Sequence, residues 1–186
     1  GRGANVIKIA TTGGVNSRIG AGLGAQMFDD EARALIETAH LYGLKVAVHH
    51  NWTDDLPKIL RHDVDSLEHL VYDREINDEE VAAIRKKGVT VVPTLTVADS
   101  MARFEEKLGF LQSDRAKEMF EEPARRHLIY LATTWLDFKG ESYQKAFGIW
   151  RANRGLYAKQ PSTARRLYDA GVPICAGTDL GAVVVY

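Results

Sequence analysis

Apolar residues in this chain gather into short runs, each introduced by a turn residue. Gly3 precedes Ala-Asn-Val-Ile-Lys-Ile-Ala, Gly43 precedes Leu-Lys-Val-Ala-Val-His, Gly88 precedes Val-Thr-Val-Val-Pro-Thr, and Gly171 precedes Val-Pro-Ile-Cys-Ala-Gly. Each pairs a glycine able to end a helix with a β-branched run of strand length. A further copy, Arg61-His62-Asp63-Val64-Asp65-Ser66-Leu67, has aspartate where the glycine would be. Stretches of helical period lie between the runs. Ala32, Leu35, Ile36, Ala39 and Tyr42 form one apolar face behind Asp29 and Asp30, which are placed to cap it. Thr53 is placed to cap a short helix through Leu56, Ile59 and Leu60, with Pro57 in its first turn. Asn77, with Glu80 three residues on, reads as a capping box ahead of Val81 and Ile84. This self-similar alternation predicts an α/β fold, a parallel sheet with helices packed outside it.

The rhythm breaks between Thr96 and Gln160. Met101, Phe104, Leu108 and Leu111 recur at helical spacing, as do Leu128, Leu131 and Trp135. A helical insertion over about 99–160 is therefore expected between the last two strands, carrying Trp135, Phe138, Tyr143, Phe147 and Trp150. It reads either as a small subdomain with its own core or as a cap that shapes a substrate pocket. No linker divides the chain, so 1–186 is expected to form a single domain.

Composition narrows the function classes. The chain has 186 residues, 45% hydrophobic and 26% charged, the balance of a globular protein with an ordinary core. A formal net charge of −1 argues against nucleic acid or a membrane surface as a partner recruited by bulk charge. Cys175 has no second cysteine to pair with, which points to a reducing, cytoplasmic compartment. No apolar run is long enough to span a bilayer, and the glycine-rich start does not read as a signal peptide. A glycine before the first strand, with no methionine, suggests a chain that begins inside something larger.

The chemistry falls at the carboxyl ends of the runs, where parallel α/β folds place their ligands. Lys8 sits between Ile7 and Ile9 in a strand expected to be buried on both faces, with Val6, Lys8 and Ala10 directed to one face. A buried lysine must be neutral, paired or modified. It either pairs with a carboxylate, or keeps a free amine that adds carbon dioxide to become an anionic oxygen ligand. His49 ends the second run and His50 points the opposite way; His69 ends the next. Two imidazoles and a carboxylate on adjacent strand ends suit zinc or a similar divalent ion. Glu68 reads as a surface or supporting residue. Asp179 follows Ala176-Gly177-Thr178, small residues that let the backbone come close to a site. It is suited to binding a metal or moving a proton, with capping of a following helix as the ordinary alternative.

In this order, Ile-Lys-Ile-Ala-Thr-Thr-Gly-Gly, Val-Ala-Val-His-His, Asp-Ser-Leu-Glu-His and Ala-Gly-Thr-Asp resemble the amidohydrolase superfamily. Within it, the imidazolonepropionase-like and prolidase-like hydrolases are nearest. The resemblance covers 1–98 and 161–180. It implies a partial, deformed (β/α)8 TIM barrel of the metal-dependent hydrolase type, with one or two divalent ions, zinc foremost. By the same resemblance Lys8 is the carboxylated lysine of the fourth strand, and His49 and His69 are ligands on the fifth and sixth. Asp179 is the eighth-strand residue that handles the proton of the attacking water. Two departures stand out. The His-x-His pair of the family's first strand is absent, so the chain is expected to lack three strands. His49-His50-Asn51-Trp52 also replaces the common His-Ala-His-Gly.

The function implied is hydrolysis of amide-like C–N bonds of a small molecule, a cyclic amide or dipeptide among the possibilities. His50, Asn51, Arg18 and Thr94 are the candidates for substrate contact, each with an ordinary structural role as the alternative. The competing reading is a non-catalytic barrel fragment whose exposed strand edges favour a homo-oligomer or a complementing barrel segment. A sugar-phosphate barrel enzyme fits less well, because Gly181 alone does not make a phosphate loop.

Overall fold

A computed structural model describes residues 3–14, 24–137, 141–181 and 186, with the backbone alone for 135–137 and 141–153. Four strands, β1 (Val6–Ala10), β2 (Lys45–His49), β3 (Ser66–Glu68) and β4 (Thr90–Val92), form a parallel sheet in sequence order. The register aligns Lys8 with Ala47, and Ala10 with His49; further along, Ser66 pairs with Thr90 and Glu68 with Val92. The run that begins at Val172 was expected to be a full strand. It forms one parallel bridge, Ile174 to Val91, with Val91 N–H donating to Pro173 O at 2.9 Å and Cys175 N–H to Val91 O at 2.9 Å. Pro173, which has no N–H, limits this run to a short contact.

Helix α1 (Asp29–Leu41) follows β1, α2 (Leu56–Ile59) follows β2 after a 3-10 turn at Thr53–Asp55, and α3 (Asp78–Lys87) follows β3. The capping box at Asn77 is present: its side chain accepts from Glu80 N–H at 2.9 Å and Glu80 accepts from Asn77 N–H at 2.8 Å. Two expected caps are not. Asp29 is already helical, and Glu31 instead accepts from the Phe28 N–H at 2.9 Å. Thr53 turns its hydroxyl to Asp73 Oδ1 at 2.7 Å, since the loop after β3 brings that carboxylate over the turn. On α1 the buried face is Ala32, Ile36 and Ala39, while Leu35 and Tyr42 remain exposed.

The core lies on one side of the sheet. Ile9, Val46, Val48, Leu67 and Val91 point toward α1, α2, α3 and the end of a long last helix, meeting Ile36, Ile59, Ile84 and Leu167. Alternation sends Val6, Lys8 and Ala10 to the other side, where all three are exposed. The expectation that β1 is buried on both faces is thus corrected. No described element covers the inner face of β1, so Lys8 stands at an open cavity instead of inside a core.

After β4 the chain forms α4 (Leu95–Ala102), α5 (Phe104–Leu111), α6 (Asp114–Met119), α7 (Glu122–Asp137) and α8 (Glu141–Asp169). Met101 and Phe104 sit on separate helices that break at Arg103. Val97, Met101, Phe104, Leu111, Ala132 and Tyr157 form a second apolar cluster with Tyr72, apart from the first. Helix α8 passes through Pro161 without ending, so one helix carries both Tyr157 of the second cluster and Leu167 of the first. The side chains of Trp135, Tyr143, Phe147 and Trp150, and the whole of Phe138, lie outside the described residues.

Candidate functional site

A cavity of about 470 Å³ opens at the carboxyl ends of the strands, lined by Lys8, Thr12, Gln26, His49, Asn51, His69, Tyr72 and Asp179 among others. Lys8 and His49 reach it by strand alternation on paired strands. Glu68 is aligned with His49 and so points to the same side of the sheet, where Ser66 Oγ donates to it at 2.6 Å. His69 reaches the cavity by a different route. It follows β3 with a left-handed backbone, φ 73°, and its N–H donates to Val92 O at 2.9 Å. This bend brings its ring edge-on to His49, with centroids 4.6 Å apart. Asp179 also has a left-handed backbone, φ 54°, and presents an exposed carboxylate.

The two imidazoles are prepared as neutral donors. Burial depresses the pKa of His69 to about 3, with the His49 and Lys8 charges adding to the effect. Burial and the Lys8 charge also lower His49, although a weak bond to Gly13 O at 3.4 Å and the Asp179 charge oppose this. Each ring has one nitrogen already engaged. His49 Nε2 lies 2.9 Å from Asn51 Nδ2, and His69 Nδ1 lies 2.7 Å from Thr94 Oγ1. The Thr94 hydroxyl can accept the Nδ1 proton of His69 and leave its Nε2 bare, as supporting contacts do for metal-ligating histidines, whereas the Asn51 amide nitrogen can only donate, so that contact puts the proton of His49 on Nδ1. Lys8 is exposed by surface area, yet partial burial of its amine lowers its pKa against the attraction of Glu68 and Asp179.

This donor set fits a zinc-like ion in kind: two neutral imidazoles, one carboxylate and a depressed amine. Its members do not converge. Among the described residues no three His, Cys, Asp or Glu side chains converge closely enough to hold a metal ion.

The candidates for substrate contact separate. Asn51 lines the cavity, but it is buried, its N–H bonded to Thr12 Oγ1 at 2.9 Å and its amide turned to His49. Thr94 is buried behind His69 and bonded to that ring. His50 does not reach the cavity. It is packed on the helix side of the sheet, 3.8 Å from Asp55 Oδ2. A regular strand requires this, because His50 alternates with His49. Arg18 lies outside the described residues. Tyr72 was not anticipated: it lines the cavity and stacks on Tyr157 with centroids 4.6 Å apart. Only its position three residues past His69 hints at this in the sequence.

No family model matches the chain. Uncharacterised proteins of Mycobacterium tuberculosis (strain H37Rv) and Mycobacterium bovis are each 26% identical over 156 residues, 84% of this chain and 32% of theirs. A Xaa-Pro dipeptidase crystal structure with bound methionine matches at TM-score 0.60 and 26% identity, over 96% of this chain and 35% of that one. The chain is similar to a part of the prolidase and amidohydrolase structures. An amidohydrolase structure matches at TM-score 0.61 and 25% identity, over 98% of this chain and 35% of its own. The Aspergillus niger ochratoxinase, at TM-score 0.61 and 24% identity, shares the fold. The chain spans about a third of the length of the curated relatives and solved structures it matches. Among the described residues no helix is long and apolar enough to cross a membrane.

Proposed function

We propose that this chain is the metal-binding portion of a prolidase-type amidohydrolase, a segment of a deformed (β/α)8 barrel that hydrolyses amide-like C–N bonds of a small molecule. The observation that carries this reading is that Lys8 from β1, His49 from the end of β2, His69 just past β3 and Asp179 beyond the Ile174 bridge line one cavity. Structural relatives named as Xaa-Pro dipeptidase and prolidase favour a dipeptide-like substrate. His69 would hold a divalent ion through Nε2, and His49 through Nδ1 once the Asn51 amide is turned so that its oxygen, otherwise without a partner among the described residues, accepts the Nε2 proton. Zinc, as one or two ions, suits these donors best. Such an ion supplies Lewis acidity, making a water acidic enough to lose a proton near neutral pH. Lys8, with its lowered pKa, would add carbon dioxide: the N–C bond forms, the amine loses a proton, and a carboxylate oxygen becomes available as a donor. Asp179 would take the proton of the attacking water and return it to the leaving nitrogen. Tyr72 and Gln26 wall the cavity in which the substrate would sit.

A second reading, a barrel segment without activity of its own that pairs with a complementing segment or with another copy, is favoured by the exposed inner face of β1. It is also favoured by the missing third convergent ligand among the described residues. Elemental mass spectrometry of the dialysed chain and of Lys8→Ala separates the readings. The hydrolase reading expects near-stoichiometric metal in the first and loss of most of it in the second. Equal metal in both removes Lys8 from the ligand set. A metal-free wild type that also takes none up favours the second reading.

A further inference from the structure

We propose that a second copy of this chain covers the free edge of β1 and packs its own α1, running the opposite way, on the outer flank of α1. Helix α1 carries more apolar surface than the core takes. Ala32, Ile36 and Ala39 are buried against the sheet. Beside them Phe28, Leu35 and Tyr42 recur every seventh residue, from the N-cap to the C-cap, and are 77%, 43% and 78% exposed. Seven residues are nearly two turns, so the three stand in one stripe about 21 Å long.

The stripe faces away from the rest of the sheet. On one flank of α1, Asp29 accepts from Arg61 at 3.1 Å and lies 3.0 Å from His62 Nε2, and His40 lies 3.1 Å from Asp65, all toward β3. At about 100° per residue, Phe28, Leu35 and Tyr42 fall on the other flank of the buried face. That flank is on the side of β1, which stands first in the sheet and pairs with β2 alone among the described strands. An unpaired strand edge beside an apolar helix flank is a surface ready for a partner built of the same elements.

Symmetry and charge select a second copy as that partner. The stripe reads aromatic, leucine, aromatic in both directions at equal intervals. A copy related by a two-fold axis at Leu35 therefore sets Leu35 on Leu35 and each Phe28 on the other copy's Tyr42, the self-matching contact of a two-fold dimer. The reversal also sets the acidic first turn, Asp29 to Glu31, beside a last turn that carries His40 and no carboxylate, whereas a parallel copy would bring the two acidic turns together. The same axis lays the two β1 edges antiparallel. Helix α1 crosses from β1 to β2, so with strands about 4.8 Å apart the two copies of α1 stand about 10 Å apart, a distance at which helices pack. The three exposed side chains offer roughly 350–400 Å² per copy. Doubled, and joined by pairing of the five-residue edges, this reaches the ~1,000 Å² at which specific interfaces begin. The dimer is accordingly reversible, not obligate.

This interface deepens the reading in which another copy complements the barrel segment, and it does not depend on a metal. Sedimentation equilibrium of the 186-residue chain with a chelator present tests it. The mass should double as the concentration rises through the micromolar range. Leu35→Lys and Leu35→Glu each bring like charges together on the axis, so each variant alone should stay monomeric where the wild type is mostly dimer, with unchanged far-ultraviolet circular dichroism. An equal mixture of the two should dimerise again, because ammonium then meets carboxylate. A wild type that stays monomeric up to the millimolar range leaves the flank to a foreign segment and overturns the proposal. A dimer that both variants keep places the contact on another face, and a mixture that stays monomeric removes the axis from Leu35; either overturns it too. A dimer that behaves as expected in a chain that takes up no metal leaves the interface standing while the hydrolase reading fails.

Discussion

Gly177 tests the tie between the final run and the site. It lies two residues before Asp179, beside β4, and a Cβ added there would stand 2.5 Å from Val92 Cγ1 and 3.7 Å from Thr94 Cγ2. Carbon atoms attract one another best at about 3.5–4.0 Å, so the first contact is a collision by roughly an ångström. Val92 is β-branched and has few rotamers in which to yield, so the strain falls on the pairing around Ile174 and Val91. Gly177→Ala should then destabilise the chain by about 1–3 kcal/mol, the usual cost of overpacking. For a chain of this length that lowers Tm by about 2–4 °C per kcal/mol. Urea unfolding at pH 7 reads it directly. The decisive variant is Gly177→Ala combined with Val92→Ala, which removes the colliding methyl. The added cost of Gly177→Ala in that background should shrink by about 1 kcal/mol or more, as expected for groups in direct contact. A loss below about 0.5 kcal/mol for Gly177→Ala alone, or one that Val92→Ala leaves unchanged, would refute the close approach and with it the placement of Asp179.

Two further outcomes concern the strand ends. His69 is held at a pKa of about 3 when folded, whereas an unfolded histidine titrates near about 6.5. Between these values the unfolded chain binds the extra proton, so stability is full above the upper value and falls as the pH drops through the window. The slope is up to about 1.4 kcal/mol per pH unit. In metal-free protein, His69→Asn, which tolerates a left-handed backbone, should lose up to about 2 kcal/mol less than wild type between pH 7 and 5 by urea unfolding; parallel profiles would sink the assignment. At the opposite pole, Asp65 accepts from Val46 N–H at 2.8 Å, Lys45 Nζ at 2.6 Å and His40 Nε2 at 3.1 Å. Asp65→Ala leaves the fully buried Val46 amide without its acceptor and should cost about 1–3 kcal/mol in the same assay; a loss under about 0.5 kcal/mol contradicts the bond.

The scaffold is legible in the sequence wherever one local rule decides. The capping box at Asn77 and Glu80 depends on three residues of spacing, and the placement of His49 opposite His50 depends only on strand alternation. The position of Glu68 on the cavity side follows from register, which alternation alone does not give, since it requires knowing that Glu68 pairs with His49. His69 defeats alternation altogether, because the chain turns left-handed there and carries the ring to the same side as His49. Asn51 and Thr94 read as substrate contacts because they are polar and near histidines. Their engagement by those histidines depends on packing that no local pattern records. Lys8 shows the reverse error: its apolar neighbours imply burial, but burial depends on what covers the inner face of β1.

The backbone itself separates stability from chemistry at the two ends of the sheet. Left-handed turns before β2 and β4 fall on Gly43, φ 69°, and Gly88, φ 73°, where no side chain is needed and no strain arises. At the carboxyl ends the left-handed residues other than glycine are His69, Thr94 and Asp179. Each such residue costs on the order of 1–3 kcal/mol, most for a β-branched residue such as threonine. Glycine would relieve the strain at all three positions. It would also remove the imidazole, the hydroxyl bonded to that imidazole, and the carboxylate at the cavity mouth. Among the described residues other than glycine, such strain falls on ones that carry functional groups, at the end of the strands where ligands bind in parallel α/β folds, as a site kept for its chemistry would retain it.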